Sequence, residues 1–253
     1  MIGKIVYSSI SSKTKIEACQ QEIRDSEWEA ISSEIKIGAR FLDVGCGAGY
    51  AMFKAQNELN CSVEGIDPDP GAHGVGRFLK ELVKSPEIKQ GYAEDLPYET
   101  DSFDVVYSSH VLEHVNNEQK SLQEMKRVLK EDGVLIIGMP TAAMAWLNLF
   151  STLVFTSHIK IYEFIKGIFS KGSFHRFVRI FRISSHSEPR ANSIWYDIKH
   201  YRVKNWRRIV EHEFKVEKVV LPCLYPYPDY PQFFKLRKSA RFSSSVFFIC
   251  TKK

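Results

Sequence analysis

The amino-acid sequence predicts an α/β protein built on a doubly wound, mostly parallel sheet of seven strands. Short apolar segments alternate with helical segments through residues 37–140, and a glycine-rich turn directly follows the first apolar segment. This alternation is typical of βαβ units, whose right-handed crossovers bring the C-terminal ends of the strands to one edge of the sheet. The strands are expected at residues 39–44, 62–66, 88–91, 103–108, 134–138, 214–221 and 245–251.

Helical segments fill most of the intervals between these strands. The first carries Ile23, Trp28 and Ile31 at spacings that place them on one helical stripe. Asp132-Gly133 is expected to end the helix that precedes the fifth strand, because glycine is common just past a helix C-terminus. The helices are expected at residues 13–36, 51–59, 72–84, 115–130 and 203–212.

The charge of the chain is divided unevenly along its length. Residues 1–140 contain 15 basic and 23 acidic residues, whereas the remaining residues contain 20 and 7, so the two parts carry net charges of −8 and +13. Such a division indicates a core joined to a segment that meets an anionic partner, such as phosphate, nucleic acid or a membrane surface. A solvated basic face without a partner is the alternative.

Cysteine usage and hydropathy predict a cytoplasmic protein. The five cysteines are scattered without a Cys-x-x-Cys pair, which argues against a structural zinc site or a disulfide framework. The first dozen residues lack the pattern of a signal peptide. No stretch reaches the roughly 18 apolar residues that a membrane span requires, so peripheral contact with a membrane is the most that we expect.

Two acidic residues flank the glycine-rich turn and indicate a nucleoside ligand. Asp43 precedes glycines at positions 45, 47 and 49, which let the backbone approach a ligand closely. Tyr50 stands where a dinucleotide-binding fingerprint has glycine or alanine, which disfavours NAD and FAD. Asp67 closes the second strand about 20 residues later, where a carboxylate can accept both hydroxyls of a ribose. A capping role before Pro68 is the alternative for Asp67.

Four segments of the first half together resemble a known enzyme family. They read FLDVGCGAGY (41–50), VEGIDPD (63–69), AEDLPYETDSFDVVYSSHVLEHV (93–115) and EMKRVLKEDGVLIIGMP (124–140). In order and spacing this region of about 100 residues is similar to the class I S-adenosylmethionine-dependent methyltransferases, in the subgroup of broad small-molecule and lipid methyltransferases. The resemblance implies the Rossmann-like methyltransferase fold, S-adenosyl-L-methionine as cofactor, and methyl transfer as the reaction.

The resemblance also implies which residues bind the cofactor. One departure concerns Tyr92, which stands where the family often has Asp or Asn to bond the adenine amino group, so Glu94 or a main-chain carbonyl is left for that role. A sulfonium cofactor has no phosphates, and residues 41–53 contain no Lys or Arg. By resemblance Asp43, Gly45, Cys46 and Gly47 cradle the methionine end, Asp67 binds the ribose, Pro68 flanks the adenine, Ala93 and Glu94 lie along it, and Ser109 and His110 line the floor below the sulfonium.

No catalytic base stands out from the sequence, and no metal is expected. If the acceptor is a hydroxyl or an amine, a base assists by removing its proton. His110 follows the fourth strand at the active edge and is one candidate. His200 lies just before the late helix and is a second candidate, although a capping or surface role fits it equally well. His114 is expected to be structural.

The chain is expected to form one methyltransferase domain with a helical lid after the fifth strand. Residues 141–202 mix aromatic and basic side chains and are expected to cover the acceptor. A small-molecule, lipid or saccharide acceptor at O or N is favoured over RNA, and RNA over protein. A non-catalytic module that binds the cofactor is the other class of function. The expected parts are 13–36 (N-terminal helix), 37–140 (cofactor-binding core), 141–202 (lid) and 203–253 (last helix and C-terminal strands).

Overall fold

The computed structural model describes residues 13–72, 74, 87–151, 193–225, 237–238 and 242–253. The helix expected at 72–84, most of the lid expected at 141–202 and most of the loop after residue 225 lie outside the described residues. The strands are β1 (Arg40–Val44), β2 (Ser62–Asp67), β3 (Glu87–Gln90), β4 (Phe103–Ser109), β5 (Leu129–Pro140), β6 (Phe214–Val220), β7 (Cys223–Leu224), β8 (Arg237–Lys238) and β9 (Ser245–Lys252). The helices are α1 (Lys13–Ile31), α2 (Tyr50–Leu59), α3 (Glu118–Val128), α4 (142–151), α5 (Ile194–His200) and α6 (Val203–Val210), and a 3-10 turn spans Ser32–Glu34.

Seven of the strands form one sheet in the order β3-β2-β1-β4-β5-β9-β6. Strands β1 to β5 pair in parallel, whereas β9 runs antiparallel to both β5 and β6. The prediction of a doubly wound, mostly parallel seven-stranded sheet is therefore confirmed. The strand order reverses between β1 and β4, and ligands of open α/β sheets bind at such a switch point, beyond the C-terminal ends of the strands.

The end of α3 differs from the expectation. Helix α3 stops at Val128, and β5 begins at Leu129 rather than at Val134. Leu129 pairs with Phe103 of β4, and the register then shifts before regular pairing resumes. Leu129 is fully buried, and its backbone continues into the sheet. Asp132-Gly133 therefore lies within β5, where its pairing with β4 is irregular, and does not terminate the helix.

The core lies on both faces of the sheet because its central strands are buried on both sides. In β9, Phe247 and Phe248 are each completely buried and belong to opposite core clusters, as the alternation of side chains along a strand requires. Helix α3 buries Leu122 and Met125 against one cluster. Its N-terminus is capped by Asn117, whose side chain accepts a hydrogen bond of 3.0 Å from the Lys120 backbone N–H.

Helix α1 packs beside the C-terminal edge of the sheet. Its apolar stripe is confirmed, since Ile23, Trp28 and Ile31 are all buried. The Trp28 indole donates a 2.7 Å hydrogen bond to Glu58 of α2, which ties the two helices together. Helix α1 therefore forms a fixed wall beside the turn that connects β1 to α2.

Two further observations concern the described residues only. None of their helices is both long and apolar enough to cross a membrane. All five cysteines lie among them, and each is a free thiol.

Candidate cofactor-binding site

A cavity of about 600 Å³ opens at the C-terminal ends of β1, β2 and β4. This volume lies within the range of small-molecule sites, and the position is the switch point of the sheet. All ten residues that the sequence assigned to the cofactor line this single cavity, although they come from four separate segments. They are Asp43, Gly45, Cys46, Gly47, Asp67, Pro68, Ala93, Glu94, Ser109 and His110.

The glycine-rich turn is held against the end of β2 by backbone hydrogen bonds. The N–H groups of Gly45 and Cys46 donate to the Ile66 carbonyl at 2.7 and 3.1 Å. Gly45 has a φ of +81°, and a Cβ placed there would lie 2.2 Å from a methyl of Val111. The turn therefore requires glycine at this position, for its conformation and for the close approach of the segment after β4.

Two buried carboxylates line the cavity beside the turn. Asp43 and Asp67 are 3% and 8% exposed. The Asp67 carboxylate is oriented by two backbone donors, the N–H of Gly47 at 2.9 Å and the N–H of Asp69 at 2.8 Å. Burial, together with the nearby charge of Asp67, raises the pKa of Asp43 to about 8. An enclosed pair of acids that carries this electrostatic strain is suited to a cationic ligand.

The rim of the cavity opposite the turn is built by the segment after β3. One carboxylate oxygen of Glu94 accepts hydrogen bonds from the backbone N–H groups of Asn116 and Asn117, at 2.8 and 3.3 Å. Glu94 thereby joins this rim to the start of α3. Ala93 is buried beside it, whereas Tyr92 is 63% exposed. Tyr92 therefore lines the cavity with most of its side chain in solvent.

The floor of the cavity is formed where β4 ends. His110 adopts a φ of +57°, and its N–H donates to the Gly138 carbonyl at 2.9 Å. The two imidazole nitrogens lie 3.4 Å from a Glu113 oxygen and 3.7 Å from a Glu27 oxygen. Burial and Arg24 work to lower the pKa of His110, but these two carboxylates outweigh them and raise it. The two carboxylates therefore stabilise the protonated form of His110 relative to an imidazole without such neighbours.

The structure does not bring His200 to the cavity. It is the last residue of α5, it is exposed, and its ring stacks on Tyr196 at a centroid distance of 3.7 Å. His114, by contrast, does line the cavity, and its Nε2 lies 4.0 Å from a Glu113 oxygen. Of the three histidines considered from sequence, His110 and His114 therefore belong to the cavity wall.

Sequence reasoning missed the contribution of α1. Arg24 lines the cavity, and Glu27, only 2% exposed, lies behind it. A signal was present, because Glu27 is spaced four residues from both Ile23 and Ile31 on the stripe that the helix buries. A carboxylate in such a stripe needs a buried partner, and the partner is Arg24. Tyr50 also lines the cavity, and its hydroxyl donates to Asp25 of α1 at 2.6 Å.

The chemistry of the lining fits an adenosyl sulfonium. The turn has no room for a side chain at Gly45, the buried acids Asp43 and Asp67 suit a cation and a ribose, and no lysine is among the described residues of the cavity wall. In the described ranges no cluster of three or more His, Cys, Asp or Glu side chains is placed to hold a metal ion. The fold and the residues that line the cavity are those of a class I S-adenosylmethionine-dependent methyltransferase.

Comparison with protein families supports this class. Residues 42–137 match the family model described as a methyltransferase domain. The resemblance inferred from the sequence is thereby confirmed: the chain carries a class I methyltransferase domain of the S-adenosyl-L-methionine-dependent kind.

Two groups of curated relatives share this region. The chain is 32% identical over 115 residues to a ubiquinone/menaquinone biosynthesis C-methyltransferase of Campylobacter jejuni, covering 42% of this chain and 47% of the relative. It is 34% identical over 118 residues to a tRNA U34 carboxymethyltransferase of Pseudomonas aeruginosa, covering 45% and 36%. The chain thus spans less than half the length of either relative.

Solved structures share the fold across nearly the whole chain. One is a SAM-dependent methyltransferase of Thermotoga maritima, described as a possible histamine N-methyltransferase. It has a TM-score of 0.58 at 16% identity and covers 93% of this chain and 92% of its own. Another is a putative S-adenosylmethionine-dependent methyltransferase of Listeria monocytogenes, with a TM-score of 0.56 at 16% identity and coverage of 90% and 97%. At these identities the likeness shows the fold alone.

Proposed function

We propose that this chain transfers the methyl group of S-adenosyl-L-methionine to a small-molecule, lipid or saccharide acceptor, at oxygen or nitrogen. The observation that carries the proposal is the single cavity in which the glycine turn, the two buried acids and the floor after β4 converge. A module that only binds the cofactor is the alternative, and it would bind S-adenosyl-L-methionine without transferring the methyl group. The cytoplasmic location and the single-domain organisation are parts of the same proposal.

In this proposal the residues of the chain act by binding, orienting and excluding water. When bound, the cofactor supplies an activated methyl group on a sulfonium. Asp43 and the turn residues Gly45 to Gly47 hold its methionine end, and Asp67, already oriented by two backbone donors, accepts the ribose hydroxyls. The acceptor atom must be held within about 3–3.5 Å of the methyl in a site closed to water. Ser109 and His110 at the floor are placed to shape that site.

Exposed aromatic side chains on α4 and α5, outside the described wall of the cavity, are the observation that favours an apolar or amphipathic acceptor. Trp146, Phe150 and Trp195 are 52%, 54% and 61% exposed, and the two indoles are in edge contact at 6.2 Å. Aromatic side chains of this kind are common where a protein meets a lipid-like molecule or a membrane interface. The quinone-pathway relative is consistent with such an acceptor.

RNA is the second candidate acceptor. The net charge of +13 on residues 141–253 suits a polyanion, and one group of relatives is named for modification of tRNA. The same charge also suits peripheral contact with an anionic membrane.

Calorimetric titration tests the cofactor assignment. We expect micromolar binding of S-adenosylmethionine and S-adenosylhomocysteine and no binding of NAD. Asp67→Ala should weaken the binding of both sulfur ligands by about 10- to 100-fold, because charge-assisted hydrogen bonds to the ribose contribute about 1.5–3 kcal/mol. Asp95→Asn is the control, since Asp95 is exposed and lies outside the cavity wall. Unchanged affinity in Asp67→Ala would remove the ribose assignment.

Transfer of label tests the acceptor. Purified protein is incubated with methyl-tritiated S-adenosylmethionine and, in separate reactions, with a total lipid extract, a low-molecular-weight cell extract or total tRNA. We expect label in an organic-soluble or low-molecular-weight product, and much less label with Asp67→Ala at a cofactor concentration that does not saturate this variant. Label recovered only in tRNA would contradict the first acceptor class and establish the second.

A further inference from the structure

Helix α1 places one arginine in the wall of the cofactor cavity. Arg24 lies outside residues 42–137, the region that matches the methyltransferase domain. Its side chain remains 32% accessible although it lies within the protein, because it faces the cavity, whereas its partner Glu27 is 2% accessible. No other lysine or arginine among the described residues lines this cavity. Arg24 is therefore the strongest positive charge that the described wall offers to a ligand.

Glu27 fixes the position of this arginine. Its Oε2 accepts a 2.6 Å hydrogen bond from Nη1 of Arg24, and its Oε1 accepts one of 3.4 Å from the hydroxyl of Tyr225. Burial works to raise the pKa of Glu27, but the Arg24 guanidinium and His110 lower it to about 2. Glu27 is therefore ionised at neutral pH and holds Arg24 from behind the cavity wall.

The contact with Glu27 uses only part of the Arg24 guanidinium. Only one nitrogen of the guanidinium bonds Glu27, and among the described residues its remaining N–H groups have no partner. The other Glu27 oxygen lies 3.7 Å from His110. A guanidinium that is held at one nitrogen in a cavity wall is suited to paired hydrogen bonds with a carboxylate.

Arg24 and Asp43 line the same cavity. Asp43 is the register partner of Tyr107 in β4, and Tyr107 also lines the cavity. A buried acid and a fixed guanidinium in the wall of one cavity are complementary to a group that carries both an ammonium and a carboxylate.

We infer that Arg24 binds a carboxylate in this cavity, with Glu27 as its positioning residue. The inference rests on the proposed function of the same site. The carboxylate has two possible sources, the amino-acid end of the methyl donor or an acid group on the acceptor. Both sources use the same chemistry, a guanidinium in a fixed orientation that pairs with a planar anion.

Two ligands that differ in the amino-acid end distinguish the sources. S-adenosylhomocysteine carries the carboxylate, and 5′-methylthioadenosine lacks the entire amino-acid end. Arg24→Gln should weaken the binding of S-adenosylhomocysteine by about 10- to 100-fold and leave that of methylthioadenosine within about twofold. Glu27→Gln should produce a smaller loss with the same selectivity, which a merely structural role would not produce. Arg40→Gln is the control, because Arg40 pairs with Glu64 on the surface, away from the cavity.

An acceptor carboxylate gives a different pattern. In that case Arg24→Gln leaves S-adenosylhomocysteine binding unchanged, while acetate binds saturably to the wild-type complex with S-adenosylhomocysteine and fails to bind to the variant complex. If neither pattern is observed, the inference is overturned. Arg24→Lys keeps the charge without the guanidinium fork, so it tests the site if Arg24→Gln does not fold. If the wild type binds neither adenosyl ligand, the proposed function fails and the inference fails with it. If the wild type binds both ligands and Arg24→Gln weakens the binding of both equally, only the inference is overturned.

Discussion

At the scale of single residues, the most informative group is Asp43. Burial and the charge of Asp67 raise its pKa to about 8, so at pH 7 the carboxyl is mostly protonated in the absence of a ligand. A cation bound beside it favours the ionised form. Ligand binding is therefore linked to the release of a proton from this residue.

This linkage predicts a pH-dependent affinity. Binding of S-adenosylmethionine at pH 7 should release up to about one proton, so that affinity rises with pH toward about 8 and then levels off. Calorimetry in phosphate and in Tris, whose ionisation enthalpies differ, measures the number of protons directly. Asp43→Asn should abolish the buffer dependence, and Asp95→Asn should preserve it. A wild-type binding enthalpy that is independent of the buffer would contradict the linkage.

The cofactor assignment of the ten residues stays a prediction, but the motifs did bring together residues that share one cavity. The ten residues assigned to the cofactor lie around one cavity because each is within a few residues of a strand end, and parallel strands bring those ends together. Arg24 was not found, because its place in the wall depends on how α1 packs against β4 and on Tyr225, two hundred residues along the chain. The position of Glu27 in the apolar stripe signals a buried acid, but no local pattern encodes the contact with Tyr225 or the entry of Arg24 into the cavity.

At the scale of elements, the turn between β1 and α2 depends on glycine for two separate reasons. Gly45 has a positive φ, and a Cβ at this position would also clash with the side chain of Val111. Gly38, in the turn before β1, has a similar φ of +75° with nothing within 4 Å of a Cβ. A comparison of substitutions at the two glycines therefore distinguishes the cost of the left-handed backbone from the cost of the clash with Val111.

Alanine at these two positions should have different costs. Gly38→Ala is expected to lower the free energy of unfolding by about 1–2 kcal/mol, from the left-handed conformation alone. Gly45→Ala should lower it by about 1–3 kcal/mol more, because the segment after β4 must move, and it should also weaken S-adenosylhomocysteine binding. Urea denaturation measures the first effect and calorimetry the second. Equal losses of stability in the two variants would show that Val111 does not constrain the turn.

Element boundaries were predicted less well than element types. The sequence predicted every strand of the main sheet, but the helix expected at 115–130 spans Glu118–Val128, so it begins three residues later and ends two residues earlier than expected. Leu129 fits an amphipathic helix and a buried strand equally well by periodicity. Pairing with Phe103 on β4 decides between them, and this is a tertiary interaction.

At the scale of the whole molecule, the late strand β9 joins distant parts of the chain. It lies between β5 and β6 and contributes Phe247 and Phe248 to opposite faces of the core. The residues before β9 are also linked to Glu27, since the Ser244 hydroxyl accepts a 3.0 Å hydrogen bond from the Tyr225 backbone N–H and the Tyr225 hydroxyl donates to Glu27 at 3.4 Å. The C-terminal part of the chain therefore completes the wall that α1 presents to the cavity.

The sequence by itself determined the fold class, the strands of the main sheet, the glycine turn and the two acids beside it. These features depend on local periodicity and on spacings within about 100 residues, which the order of amino acids records directly. Only the tertiary structure decided that His110 lies between two carboxylates, that His200 lies away from the cavity, and that Arg24 enters it. The physical reason is that a buried charge must be paired, and its partner can come from any element that folding brings within reach.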